Sequence, residues 1–170
     1  MKRILVIDDD RSIREALNKL LRGEGYDTLL AANSDQALAH FGCGNVDLLL
    51  LDLNLPTKNG WDLFERFTEI NPLVPIIIIT GRADQSALAA GAGVGALLEK
   101  PVDVDFLLKS IRDLLAETNE TRLHRLLGNN HSLRYASAAL LKGRKAPGTS
   151  SRSREGHAGI ARMPFVGRHH

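Results

Sequence analysis

Three short apolar runs constrain this chain more than any other feature: Ile4-Leu5-Val6-Ile7, Leu48-Leu49-Leu50-Leu51 and Ile76-Ile77-Ile78-Ile79. None alternates with polar residues, so each must be covered on both faces, as strands inside a parallel sheet are. Each run stops at a polar residue, namely Asp8, Asp52 and Thr80. Between and after them, apolar residues recur at helical spacing: Ile13, Leu17, Leu20 and Leu21; Ala37, Leu38 and Phe41; Leu63, Phe64 and Phe67; Leu107, Ile111, Leu114 and Leu115. Weaker strands at 28–31 and 96–98 and a small-residue helix at 86–91 bring the count to five strands and five helices. Strand and helix alternate, which predicts an α/β fold: a parallel sheet wound by right-handed crossovers. Ser12 with Glu15 has the spacing of a capping box for the first helix, and Gly23 and Gly25 mark its end. Pro56 and Asn59-Gly60 place 53–59 in a loop.

In such sheets the working groups gather beyond the carboxyl ends of the strands. Here those ends present Asp8 and Asp9, then Asp52, then Thr80 with Gly81, then Lys100 before Pro101. Three clustered carboxylates repel one another unless a cation joins them. All-oxygen donors without His or Cys favour Mg²⁺. A carboxylate can also act as a nucleophile and form an aspartyl phosphate, with Lys100 and the Thr80 hydroxyl as donors to the phosphoryl oxygens. Taken singly, each residue has a blander reading. The run 8–10 would cap a helix, Asp52 would start a turn, and Thr80 would be a β-former. Their joint placement at strand ends favours a site. Asp10 is left to the electrostatics of the first helical turn.

The pieces Ile4-Leu5-Val6-Ile7-Asp8-Asp9-Asp10, Asp52-Leu53-Asn54-Leu55-Pro56 with Gly60, Thr80-Gly81 and Lys100-Pro101 resemble the receiver domain of two-component response regulators, the CheY-like family. The resemblance covers residues 2–117. It implies a flavodoxin-like doubly wound sheet of order 2-1-3-4-5 and Asp52 as acceptor of a phosphoryl group from a histidine kinase or phosphotransfer protein. It also implies Mg²⁺ held by Asp8, Asp9, Asp52 and the Asn54 backbone carbonyl, Thr80 and Lys100 on the phosphoryl oxygens, and a cis peptide before Pro101. Asn54 and Arg82 stand where the family tunes the lifetime of the acyl phosphate. The sequence departs from the family at Leu97, where a Tyr or Phe that couples to the threonine is usual. The readout surface implied is the helix after Thr80 with the last strand and last helix, its transition softened by the glycine-rich stretch 91–96.

The 170 residues divide by charge. Residues 1–117, the receiver-like domain, carry 12 Lys and Arg against 18 Asp and Glu. Residues 118–170 carry 10 basic and 2 acidic residues and five of the six histidines. This extension has two short candidate helices, 121–127 and 132–141, and beyond 142 a Gly, Pro, Ser, Arg and His composition that reads as disordered. It lacks a convincing helix-turn-helix. Three functions compete: a receiver that passes its phosphorylation state to a protein partner, a transcriptional regulator whose basic extension contacts DNA, and a phosphatase with an aspartate nucleophile. The last is weakest, because such enzymes use a second Asp two residues on, where this chain has Asn54. The first reading makes the chain a phosphoacceptor rather than an enzyme. No run approaches the roughly 18 apolar residues of a membrane span. The N-terminus reaches Asp8 before a signal core forms, so a cytoplasmic protein is expected. The single cysteine, Cys43, excludes an intrachain disulfide.

Overall fold

The sheet is fully parallel, and its two faces sort the core. In the computed structural model, which describes residues 1–56, 59–82, 84–127 and 133–137, the strands are β1 (Arg3–Ile7), β2 (Asp27–Ala31), β3 (Leu48–Asp52), β4 (Ile76–Thr80), β5 (Ala96–Glu99) and β6 (Arg134–Ala136). The helices are α1 (Arg11–Gly23), α2 (Ser34–Gly42), α3 (Gly60–Ile70), α4 (Ser86–Gly91), α5 (Val104–Ala116) and α6 (Asn119–Leu126). The strand order is β2-β1-β3-β4-β5-β6. The predicted 2-1-3-4-5 order is present, with one strand, β6, more than the sequence suggested.

Because side chains alternate along a strand, each apolar run feeds both faces. Leu5, Ile7, Leu49, Leu51, Ile76, Ile78 and Leu97 meet Ala37 and Phe41 of α2, Leu63, Phe64 and Phe67 of α3, and Ala89 of α4. Ile4, Val6, Leu48, Leu50, Ile77, Ile79 and Leu98 meet Leu17 and Leu21 of α1 and Leu107, Ile111 and Leu114 of α5. All residues of β3 and β4 are buried, which explains why these segments tolerate no polar alternation.

Two local expectations are corrected. Asp10, not Ser12, is the N-cap of α1: its carboxylate accepts from the Ser12 and Ile13 amides at 2.7 and 3.4 Å. Glu15 instead pairs with Arg11 at 2.7 Å. Asp10 has the extended backbone of an N-cap and stands two and three residues before the free Ser12 and Ile13 amides, whereas Ser12 already lies inside the helix. The predicted helix 132–141 is also wrong where it is described, since Arg134–Ala136 is a strand parallel to β5. Leu133 and Tyr135 alternate with Arg134, and that period of two fits the open edge of β5 better than a helix. The remainder of that predicted helix, and the composition-based reading beyond 142, lie outside the described residues. The candidate helix at 121–127 is α6, capped by Thr118 Oγ1, which accepts from the Thr121 amide at 3.2 Å.

The extension is bound to the receiver-like domain through polar contacts. Arg125 Nη1 lies 2.5 Å from Glu117 Oε2, both side chains at most 10% exposed. Arg134 Nη1 reaches the other oxygen of Glu117 at 3.0 Å. Arg122 donates to the Leu73 and Leu114 carbonyls at 3.3 and 3.1 Å. The glycine-rich stretch makes room for this: Gly93 has φ +72°, and a Cβ there would stand 3.1 Å from the Leu126 Cα.

Gly60 opens α3 against the loop that carries Asp52, where an added Cβ would lie 2.4 Å from the Leu53 Cα. Gly60→Ala should therefore lower stability by about 2 kcal/mol or more, read as the shift of the urea midpoint at unchanged slope. Arg125→Leu strands part of the Glu117 charge. It should cost about 2 kcal/mol in the same assay, below the full penalty for a broken buried pair because Arg134 still faces Glu117.

Candidate functional site

The parallel register carries the strand ends to a common edge. Asp52 closes β3 opposite Ile79, Thr80 closes β4 opposite Glu99, and Lys100 follows β5 directly. Asp8 follows β1, its amide donating to the Ala31 carbonyl at 3.2 Å.

Asp8 and Asp52 are held alike. In each, Oδ1 accepts from the amide two residues on, Asp8 from Asp10 N–H at 2.8 Å and Asp52 from Asn54 N–H at 2.9 Å. These local turns fix the carboxylate planes. Each Oδ2 then receives Lys100 Nζ, at 3.0 Å from Asp8 and 2.6 Å from Asp52. Both carboxylates are buried, while the lysine keeps a quarter of its side chain exposed. The Lys100–Pro101 peptide is cis, as the resemblance implied.

Burial pushes the Asp8 carboxyl above its ordinary value, against the opposing pull of the Lys100 ammonium and the Asp10 amide. Burial would lower Lys100, but hydrogen bonds and Coulomb attraction from Asp52 and Asp8 outweigh it, and its pKa is raised. The lysine therefore stays an ammonium, bridging the two carboxyl groups.

Asp9 completes the acidic group. It is exposed, and Asp8, Asp9 and Asp52 each place an oxygen within 4.8 Å of the others. A cluster of three carboxylates with one lysine carries excess negative charge, and its all-oxygen donor set suits a hard divalent cation. Asn54 belongs to the turn that Asp52 begins, and its side-chain amide lies over Gly81, 3.5 Å from where a Cβ there would be. Thr80 is wholly buried at the neighbouring strand end, its hydroxyl oxygen accepting from the Arg82 amide at 3.1 Å. The structure thus gathers Asp8, Asp9, Asp52 and Lys100 into one cluster, with Asn54 on its rim and Thr80 one strand end away.

Sequence reasoning missed two participants. Arg14 Nη1 donates to the Asp8 carbonyl at 2.7 Å; the signal was its position one turn into the helix that starts beside the acidic run. Glu99, buried next to Lys100, holds the Tyr135 hydroxyl and the Ser137 hydroxyl, the latter at 3.0 Å. A charged residue ending an apolar run was its only trace.

A parallel sheet with a lysine-bridged pair of aspartates at its carboxyl edge defines a buried acidic pocket. Comparison with known proteins places it. The response regulator receiver domain model matches residues 4–112, and the chain belongs to that family. A receiver domain protein from Clostridium thermocellum superposes with a TM-score of 0.65 at 31% identity, covering 72% of this chain and 98% of that one. A CheY-like receiver from Methanospirillum hungatei gives 0.66 at 34%, covering 71% and 98%. The transcriptional regulatory protein DltR of Streptococcus agalactiae is 35% identical over 75% of this chain and 58% of its own length. CpxR of Klebsiella pneumoniae is 36% identical over 70% and 51%. The chain therefore spans little more than half the length of the curated relatives it matches. No helix among the described residues is long and apolar enough to cross a membrane.

Lys100→Met leaves two buried carboxylates facing each other without a cation. It should lower stability by about 2 kcal/mol in metal-free buffer, and millimolar Mg²⁺ should restore part of the loss, both read from thermal midpoints.

Proposed function

We propose that this receiver accepts a phosphoryl group on Asp52 and passes its state to a partner. One observation carries the reading: the Asp52 carboxylate is buried at the sheet edge with one oxygen held by the Asn54 amide and the other by Lys100. The donor is a phosphohistidine on a sensor kinase or phosphotransfer protein. The Asp52 oxygen attacks phosphorus, the N–P bond breaks, and the imidazole leaves with the electron pair and takes up a proton. Asp8, Asp9, Asp52 and the Asn54 carbonyl would hold Mg²⁺, which offsets the charge on the transferring group. Lys100 and Thr80 would meet the phosphoryl oxygens. The similar TrrA receiver of Thermotoga maritima, 32% identical with a TM-score of 0.63, is described as a complex with Mg²⁺ and BeF. On this reading the chain is a phosphoacceptor, not an enzyme acting on other molecules.

A second reading, transcriptional output, draws on the names of DltR and CpxR. The basic extension is partly spent, since Arg122, Arg125 and Arg134 bind carbonyls and carboxylates of the chain itself. A gel-shift titration at two salt concentrations separates the readings: DNA affinity that falls steeply with salt supports the second, and none at low salt removes it.

Acetyl phosphate with Mg²⁺ should give a single-phosphate adduct by intact mass, absent in Asp52→Ala. Lys100→Ala should slow its formation by roughly 100-fold. Wild-type chain without an adduct would overturn the reading.

A further inference from the structure

A four-residue strand at a sheet border exposes unpaired amides and carbonyls, which pair readily with any extended segment. In this chain the outer side of β5 is occupied from within. Arg134, Tyr135 and Ala136 stand opposite Ala96, Leu97 and Leu98 in parallel register. The contacts are chemically selective. Arg134 meets Glu117 at 3.0 Å and Asp113 at 3.7 Å. The Tyr135 hydroxyl donates to one oxygen of the buried Glu99, and the Ser137 hydroxyl donates to the other. Leu133 and Tyr135 pack against the core on the α3 and α4 side, and Ala136 packs on the opposite side. Three acids, Glu99, Asp113 and Glu117, thus border one apolar strand edge. The segment seated there carries the complementary order: cation, phenol, small residue, hydroxyl.

We propose that the outer edge of β5 is a strand-recognition site for an extended parallel segment bearing an arginine followed by a tyrosine and, two residues later, a serine, and that residues 133–137 are its resident occupant in cis. The segment is short and only half buried, so the edge opens locally without unfolding the sheet. A partner presenting the same chemistry competes with it by adding a strand. The extension is then a plug on this surface, and an outside strand gains access when the plug lets go.

The test uses the full chain and a fluorescently labelled peptide of residues 131–139. In wild type the tethered segment competes at high effective concentration. The double variant Arg134→Ala with Tyr135→Ala weakens the plug and leaves β5 intact, so it should bind the peptide at least about tenfold more tightly than wild type does. Adding Glu99→Gln and Glu117→Gln should abolish that gain. Equal affinity for wild type and double variant, or binding to neither, overturns the proposal. A measurement on wild type alone guards against a misfolded variant. Excess unlabelled peptide should raise hydrogen exchange in 133–137 while leaving 76–80 protected, and unchanged exchange in 133–137 overturns the proposal as well.

Discussion

The ammonium of Lys100 is the contact on which the arrangement depends. It reaches two carboxylates that come from β1 and β3, while it rides on the end of β5. The parallel sheet, with β1, β3, β4 and β5 side by side in that order, brings those three ends to one edge. The bridge also explains how Asp8 and Asp52 can both be buried. Each has one oxygen tied to its own backbone and the other to a shared cation, so neither anion is left without partners in a poorly solvating place. The positions of the two carboxyl groups are thereby set by the chain's own contacts.

How much of this could be read from the chain follows from what kind of signal each part leaves. The strands were legible because Leu48–Asp52 and Ile76–Thr80 carry burial on both faces in their composition. The acidic pocket was legible because Asp8, Asp52, Thr80 and Lys100 each close or follow an apolar run, and topology does the rest. What escaped was decided by tertiary contact. Asp10 and Ser12 are both sound caps by type, and only the path of the turn selects Asp10. The segment at Arg134 is too short for periodicity to separate strand from helix, and it takes its form from the edge of β5. The glycines at 91–96 suggested a soft element. In the fold Gly93 is a place where α6 comes close.

Leu97 illustrates how a departure in one element is answered in another. The position is buried, and its cross-strand neighbour is Tyr135, an aromatic that a five-stranded reading would have placed in a remote extension. The readout surface inferred from sequence comprised α4, β5 and α5. In the structure the border of β5 is covered by β6, whose Arg134 and Tyr135 pair with the acids Glu117 and Glu99 beside it.

The direction of β6 has a geometric consequence. Because it runs alongside β5 rather than against it, the polypeptide leaves the sheet at Ser137 on the same rim as Lys100. Had this strand been antiparallel, the exit would lie on the far rim, a strand's length from the carboxylates. As built, Ser137 stands beside Glu99 on the rim that also carries Asp8, Asp52 and Lys100, so the described end of the extension and the acidic pocket share one edge of the sheet.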